Sequence, residues 1–272
     1  MSININITEK KYKKLAIQIT LSGFSFCVFD TLHQSVLMVK SIDFSSYQKA
    51  SKVEDYFSKA FIDNRELTET YDEVLILHDN NLNTFVPKAL FDEQYMGSYL
   101  QYNTKVFESD FFSFDELTNY EINNVYIPYV NINNYLLDQF NTFNYKQVNS
   151  ILVAKLLDLS KNIELKQVFV HFSVAKFEIV VVQNQQLLFF NSFDYQTKED
   201  FIYYLLFTTE QLNLNPEYFK LQLLGDISEE SEWFEMAYTY IRNVSLLDVS
   251  ELQLHNNFSK AQNLKHFILF QS

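Results

Sequence analysis

Residues 15–30 read LAIQITLSGFSFCVFD, and residues 168–183 read VFVHFSVAKFEIVVVQ. Laid on one another without a gap, they agree in apolar character at Leu15/Val168, Ile17/Val170, Ile19/Phe172, Leu21/Val174, Phe24/Phe177, Phe26/Ile179 and Val28/Val181. Apolar and polar residues alternate on both sides of Gly23, the period of a half-buried strand, so the stretch predicts a β-hairpin and its echo predicts a second one. The echo extends outward. SVLMVKSIDF at 35–44 supplies a third strand whose SIDF returns as NSFDY at 191–195. Tyr47, Ala50, Val53, Phe57 and Phe61 then fall at helical spacing within 46–61. The short apolar run DEVLILHD (72–79) predicts a strand buried on both faces, and its VLILHDN is matched by LQLLGDI at 221–227. In the second copy, Thr197-Lys-Glu-Asp200 is a capping box ahead of the stripe Phe201, Leu205, Leu206, Thr209 and Leu212, with Pro216 as the stop. Beyond FKLQLLGD, Ser228-Glu-Glu-Ser231 leads into EWFEMAYTYIRNV (232–244), predicted helical; the acids sit where a helix N-terminus favours negative charge, a structural role in preference to a catalytic carboxylate pair. The order βββαβα is thus written twice.

Between the copies, 86–103 and 131–141 are expected to be helical and VYIPYV (125–130) a strand. QVNSILVAKLLDLSKN (147–162), with Val148, Ile151, Leu152, Leu156 and Leu159 in register, predicts a helix that joins the halves. No low-complexity linker intervenes. The expected organisation is therefore a first half at 1–146 and, at 147–272, the joining helix with the second half.

Composition bounds the function. The 272 residues are 47% hydrophobic, enough for a sizeable buried core, and contain only three glycines and three prolines. A net charge of −13 repels phosphate backbones, so nucleic acid is not an expected partner; the basic run Lys10-Lys11-Tyr12-Lys13-Lys14 is too short to reverse that. No apolar run reaches the roughly 18–20 residues needed to span a bilayer, so no membrane insertion is expected. LAIQITL after MSININITEKKYKK has strand patterning, not that of a secretory h-region. The single cysteine, Cys27, cannot form an internal disulfide and fits a reducing compartment. A cytoplasmic location is the expectation.

A doubled βββαβα unit with a hairpin at each start resembles the actin-like superfamily of sugar kinases, actin, chaperone ATPases and bacterial pilus-assembly and cell-division homologues. Within it, AIQITLSGFSFCVFD, VFVHFSVAKFEIVVV with LLFFNSFDY, and KLQLLGDIS look like an uncharacterised bacterial family, a domain of unknown function. The resemblance implies an α/β fold of duplicated ribonuclease-H-like units, an actin-like ATPase fold with two facing halves. It also implies an Asp-x-Gly type phosphate loop in each hairpin, where an absent Cβ lets backbone N–H groups close on phosphate and a carboxylate organises the metal. Here the sequence departs. The acidic position of the second loop falls on His171, followed by Ser173, Val174 and Ala175; the first loop offers Gln18, Thr20 and Ser22 with Gly23; and the Gly-rich adenosine turn is reduced to Gly225-Asp226. With Gly23, Gly97 and Gly225 as its only glycines, the chain has no segment for a P-loop or a Rossmann turn.

Other chemistry is sparse. Cys27 shares a strand face with Ser25 and Phe29, the setting of a core thiol. His33, His78, His171, His255 and His266 show no metal-ligand spacing. His78-Asp79, at the end of a predicted parallel strand, stands where open α/β sheets place ligands, and supports a minor reading as an enzyme acting on an unrelated substrate. The aromatic and acidic stretch 107–130 either fills the first half's core or forms a partner-binding patch. The leading expectation is a non-catalytic actin-like-fold protein, a scaffold or protein-binding module with an unidentified protein partner and scope for homo-oligomers. It assigns no catalytic, cofactor-binding or metal residue and no cofactor. The alternative is a divergent ATPase that holds nucleotide in the interdomain cleft through side chains such as Ser22, Ser173 and Asp226.

Overall fold

The computed structural model describes residues 10–47, 52–250, 252 and 256–272. Its strands, in chain order, are β1 (Lys13–Ile19), β2 (Gly23–Asp30), β3 (Ser35–Asp43), β4 (Glu73–His78), β5 (Asn83–Pro87), β6 (Ser113–Leu117), β7 (Ile122–Tyr126), β8 (Asn144–Gln147), β9 (Gln167–Phe172), β10 (Lys176–Gln183), β11 (Gln186–Asp194), β12 (Lys220–Gly225) and β13 (Asn243–Leu246). The helices are α1 (Val53–Asp63), α2 (Met96–Leu100), α3 (Val130–Phe140), α4 (Val148–Leu159), α5 (Lys198–Gln211), α6 (Glu232–Tyr240), α7 (Lys260–Lys265) and α8 (Phe267–Phe270). The chain gathers into two compact units, Met1–His78 with Tyr129–Lys146 and Asp79–Pro128 with Gln147–Ser272.

In the first unit the sheet order is β3-β2-β1-β4-β8. Antiparallel pairing sets Leu15, Ile17 and Ile19 opposite Val28, Phe26 and Phe24, and parallel pairing sets the same three beside Val74, Ile76 and His78. Their shared face is covered by Phe57, Ala60 and Phe61 of α1 and Ile132 and Leu136 of α3. Phe24 stacks on Phe57 with ring centroids 5.0 Å apart; such pairs contribute about 0.5–1.5 kcal/mol beyond the area they bury.

The second unit repeats the arrangement strand for strand in the order β11-β10-β9-β12-β13. Val168, Val170 and Phe172 face Val181, Ile179 and Phe177 on one side and Leu221, Leu223 and Gly225 on the other. The register equals that of the first sheet, as the gapless echo requires. Phe177 meets Phe201 of α5 edge to face at 5.3 Å, the counterpart of the Phe24–Phe57 pair. α4 packs on β10, β11, β6 and α8 and buries residues on nearly every side, hence its weak amphipathic pattern. A small antiparallel sheet, β5-β7-β6, belongs to the same unit, with Val86, Leu100 and Val125 at its own core.

Several expected boundaries move. Residues 86–103 are not one helix: β5 ends at Pro87, which lacks a ladder N–H, short turns follow, and only α2 is α-helical. The strand expected at 125–130 lies at 122–126, and α3 begins directly after Tyr129. The helix expected over 232–244 stops at Tyr240, because 243–246 pair with Lys220–Leu223 as an edge strand. Its N-cap is Ser231, whose Oγ accepts from the Phe234 N–H, so Glu229 and Glu230 precede the helix and Glu232 and Glu235 occupy its first turn. The first-copy helix starts at Val53; Ala50 of its expected stripe lies outside the described residues.

Candidate functional site

The two hairpin turns, one in each unit, are closed by the same backbone hydrogen bond. Thr20 N–H donates to the Gly23 carbonyl at 2.9 Å, and Ser173 N–H to the Lys176 carbonyl at 2.9 Å. Register then equates Gln18 with His171, Gly23 with Lys176 and Ser25 with Glu178. The first turn closes on itself: the Thr20 hydroxyl donates to the Gly23 carbonyl and accepts from Ser22 N–H. A Cβ on Gly23 would lie 2.3 Å from the Ile42 carbonyl oxygen, so glycine is needed here for strand approach.

The second turn is charged. The Lys176 ammonium sits 2.8 Å from Asp79 Oδ1 and 2.8 Å from Glu178 Oε1, and His171 Nδ1 lies 2.8 Å from Glu178 Oε2. Asp79, His171 and Glu178 are all buried. Alternation places Glu178 and His171 directly opposite each other on the face away from the Phe172/Phe177 cluster. Burial works to raise the Glu178 pKa, but Lys176 first and His171 second outweigh it and hold it at about 2. Burial likewise disfavours the Lys176 ammonium, yet Glu178 and Asp79 raise its pKa above the ordinary lysine value. The four side chains therefore form one buried cluster in which a single ammonium serves two carboxylates and His171 meets the second of them. Sequence reasoning passed over Lys176 and Glu178; the available signal was one acid inside the apolar run FEIVVV.

From this cluster a buried amide network leads toward the small sheet. Asn80, whose carbonyl faces Lys176 at 3.5 Å, also accepts from Gln147 Nε2 at 3.0 Å. Asn124 donates to both Gln147 and Ser150, Asn83 donates to Asn124, and Gln147 N–H donates to Asp115. These polar side chains are buried and hydrogen-bonded to one another, which fixes the start of α4 against β5, β6 and β7.

The singled-out residues are distributed as follows. His78 is fully buried; the Tyr129 N–H points to its Nδ1 at 3.3 Å and the rings of Tyr129 and Tyr145 meet it edge-on at 5.6 Å. Burial lowers its pKa to about 4, against a hydrogen bond with Asn133, so it is a neutral core imidazole. Asp79 is engaged by Lys176. Ser22 is exposed and belongs to the first unit; Ser173 and Asp226 belong to the second, where Asp226 is exposed and pairs with Lys265 at 3.0 Å. Val174 is 90% exposed at the tip of its turn and Leu21 64% at the tip of the other. Cys27 is buried, and burial raises its thiol pKa well above the ordinary value. His33 is exposed and pairs with Asp30, burial lowers the pKa of His266, and His255 lies outside the described residues. Of the 107–130 aromatics, Phe112 and Phe114 pack against the small sheet's core and Tyr126 is fully buried, whereas Phe107 and Phe111 are more than half exposed. Among the described residues no group of three or more His, Cys, Asp or Glu is placed to hold a metal ion. Nor is any helix among them long and apolar enough to cross a membrane.

Two equal-register sheets, each begun by a hairpin and crossed by helices, define an actin-like fold, and solved structures agree. A Bacteroides thetaiotaomicron protein with actin-like ATPase fold and unknown function aligns with a TM-score of 0.81 at 21% identity, covering 98% of this chain and 99% of its own. The PilM–PilN type IV pilus biogenesis complex contains a chain that aligns with a TM-score of 0.54 at 11% identity, covering 95% of each. The chain belongs to the family described as Protein of unknown function (DUF3822), which matches residues 2–244. No curated protein matches it.

Proposed function

We propose that this protein is a cytoplasmic, non-catalytic member of the actin-like fold, built from duplicated halves at 1–146 and 147–272, that works as a scaffold or protein-binding module. The observation that carries the reading is Lys176. A phosphate loop needs a small residue so that backbone N–H groups can approach an anion. The second turn instead carries a long side chain whose ammonium is already matched by two buried carboxylates, Asp79 and Glu178. An incoming triphosphate would meet carboxylate charge rather than free donors, and Val174 adds a β-branched side chain at the tip. Ser22, Ser173 and Asp226 give the alternative little support: Asp226 is already paired with Lys265, and Ser22 lies within its own turn's hydrogen bonds. The PilM–PilN assembly, in which a protein of this fold is part of a complex, is in keeping with a role exercised through partners.

The test is ligand-linked stability. A nucleotide at a hundredfold excess over its Kd raises stability by about 2.7 kcal/mol. Millimolar ATP, ADP or GTP with Mg²⁺ is expected to leave the thermal midpoint unchanged and to show no saturable binding by equilibrium dialysis. A saturable shift accompanied by turnover would overturn the proposal.

A further inference from the structure

The segment 93–112 folds into an open groove of about 500 Å³ on the small-sheet side of the second unit. Its floor is Met96, Val106 and Phe112, and its rim carries Glu93, Glu108, Lys105 and Phe107. The rim is held in place. Phe107 N–H donates to Asp110 Oδ2 at 2.8 Å and Asp110 N–H returns to the Phe107 carbonyl at 3.1 Å, a closed turn that presents the Phe107 ring to solvent at 53% exposure. Gly97 lets the Phe112 ring pack close against α2, since a Cβ there would press on that ring at 3.0 Å.

The geometry points to this groove as the docking site for an extended, positively charged peptide segment of a partner protein, anchored by one apolar side chain. Three observations select that occupant. First, Glu93 and Glu108 outnumber Lys105 among the charged residues that line the groove, on a chain whose net charge is −13, so a cationic segment is complementary. Second, the Lys105 ammonium stands over the Phe107 ring at 4.9 Å, which means that the ring face takes a cation in this setting and a partner's Lys or Arg can extend or replace that contact. Third, a small molecule held by a protein is normally 70–90% enclosed, whereas the half-exposed walls here suit a chain that leaves one side in water. The turn is pre-formed, so little ordering entropy opposes binding.

This inference rests on the reading of the protein as a partner-binding module, and the experiment separates the two. A displayed library of random dodecapeptides is panned against the full chain and against a Phe107→Ser/Glu108→Lys variant. Both changes are at exposed positions, and an unmoved thermal midpoint verifies that the variant is folded. Recovered peptides are expected to carry several Lys or Arg beside one apolar anchor, to weaken as salt is raised, and to lose at least tenfold in affinity for the variant, about 1.4 kcal/mol. Enrichment without charge bias, enrichment blind to the variant, or no enrichment would each overturn the groove. The first two leave the binding-module reading intact. That reading falls instead on saturable nucleotide binding with turnover.

Discussion

Taking the Lys176 ammonium out of water costs several kcal/mol, and only carboxylates at 2.8 Å on two sides offset it. Removing the cation takes that ammonium from two buried carboxylates at once. Lys176→Met is therefore expected to destabilise the protein by about 3–5 kcal/mol in urea unfolding, whereas Lys176→Met with Glu178→Leu should recover part of the loss because one buried negative charge goes with it. The buried titrating groups also give a sign to acid sensitivity. The ordinary His pKa is 6.5 and His78 sits at about 4, so the unfolded chain binds the proton first; stability is full above 6.5 and falls as pH drops toward 4. The span corresponds to about 3 kcal/mol. His78→Gln should lose that slope, and subtracting the two urea-midpoint profiles isolates His78 from His266. Glu178, held at about 2 from an ordinary 4.5, adds a second loss below pH 4.5. Lys176 and Glu178 share a strand face two residues apart, but Asp79 lies far off in sequence, and a lysine before an apolar run looks like a solvated strand end until the fold supplies that partner.

At the scale of elements, local chemistry fixed some ends and tertiary pairing fixed others. Thr197 and Asp200 exchange the reciprocal bonds that the sequence spells out, with the Thr197 hydroxyl accepting from Asp200 N–H, and Thr197→Ala should cost about 1 kcal/mol. The end of α6 was not legible, because the Tyr, Ile and Val residues of 238–246 suit either period, and the open edge of β12 recruits 243–246 into the sheet. Pro87 was a readable objection to a helix over 86–103 that the apolar spacing masked. Gly225 ends β12 with φ of +91°, and a Cβ there would lie 2.2 Å from the Phe172 carbonyl oxygen. Gly225→Ala combines left-handed strain with that clash and is expected to lower stability by at least about 2 kcal/mol, measured by urea denaturation.

For the whole molecule, the duplicated strand–helix order and its register were legible because apolar periodicity is a repeated, redundant signal; of the groove at 93–112, only the part from Phe107 on lay within the aromatic, acidic stretch, and the rest falls largely in a segment whose spacing suggested a helix. The doubling has a cost for folding, since hairpins of matching register and apolar pattern can pair with each other's sheets, and misassembly is a characteristic failure of repeated units. The charged quartet distinguishes them. A β1–β2 hairpin placed beside β12 would bring Gly23 and Ser25 where Asp79 awaits an ammonium, and a β9–β10 hairpin in the reverse position would push a Lys side chain into the space that Ile42 allows only to glycine. Refolding at high concentration should accordingly give more scattering aggregate for Lys176→Gly than for the unaltered chain. The buried ions then act as an address label, telling each half of a self-similar chain which sheet is its own.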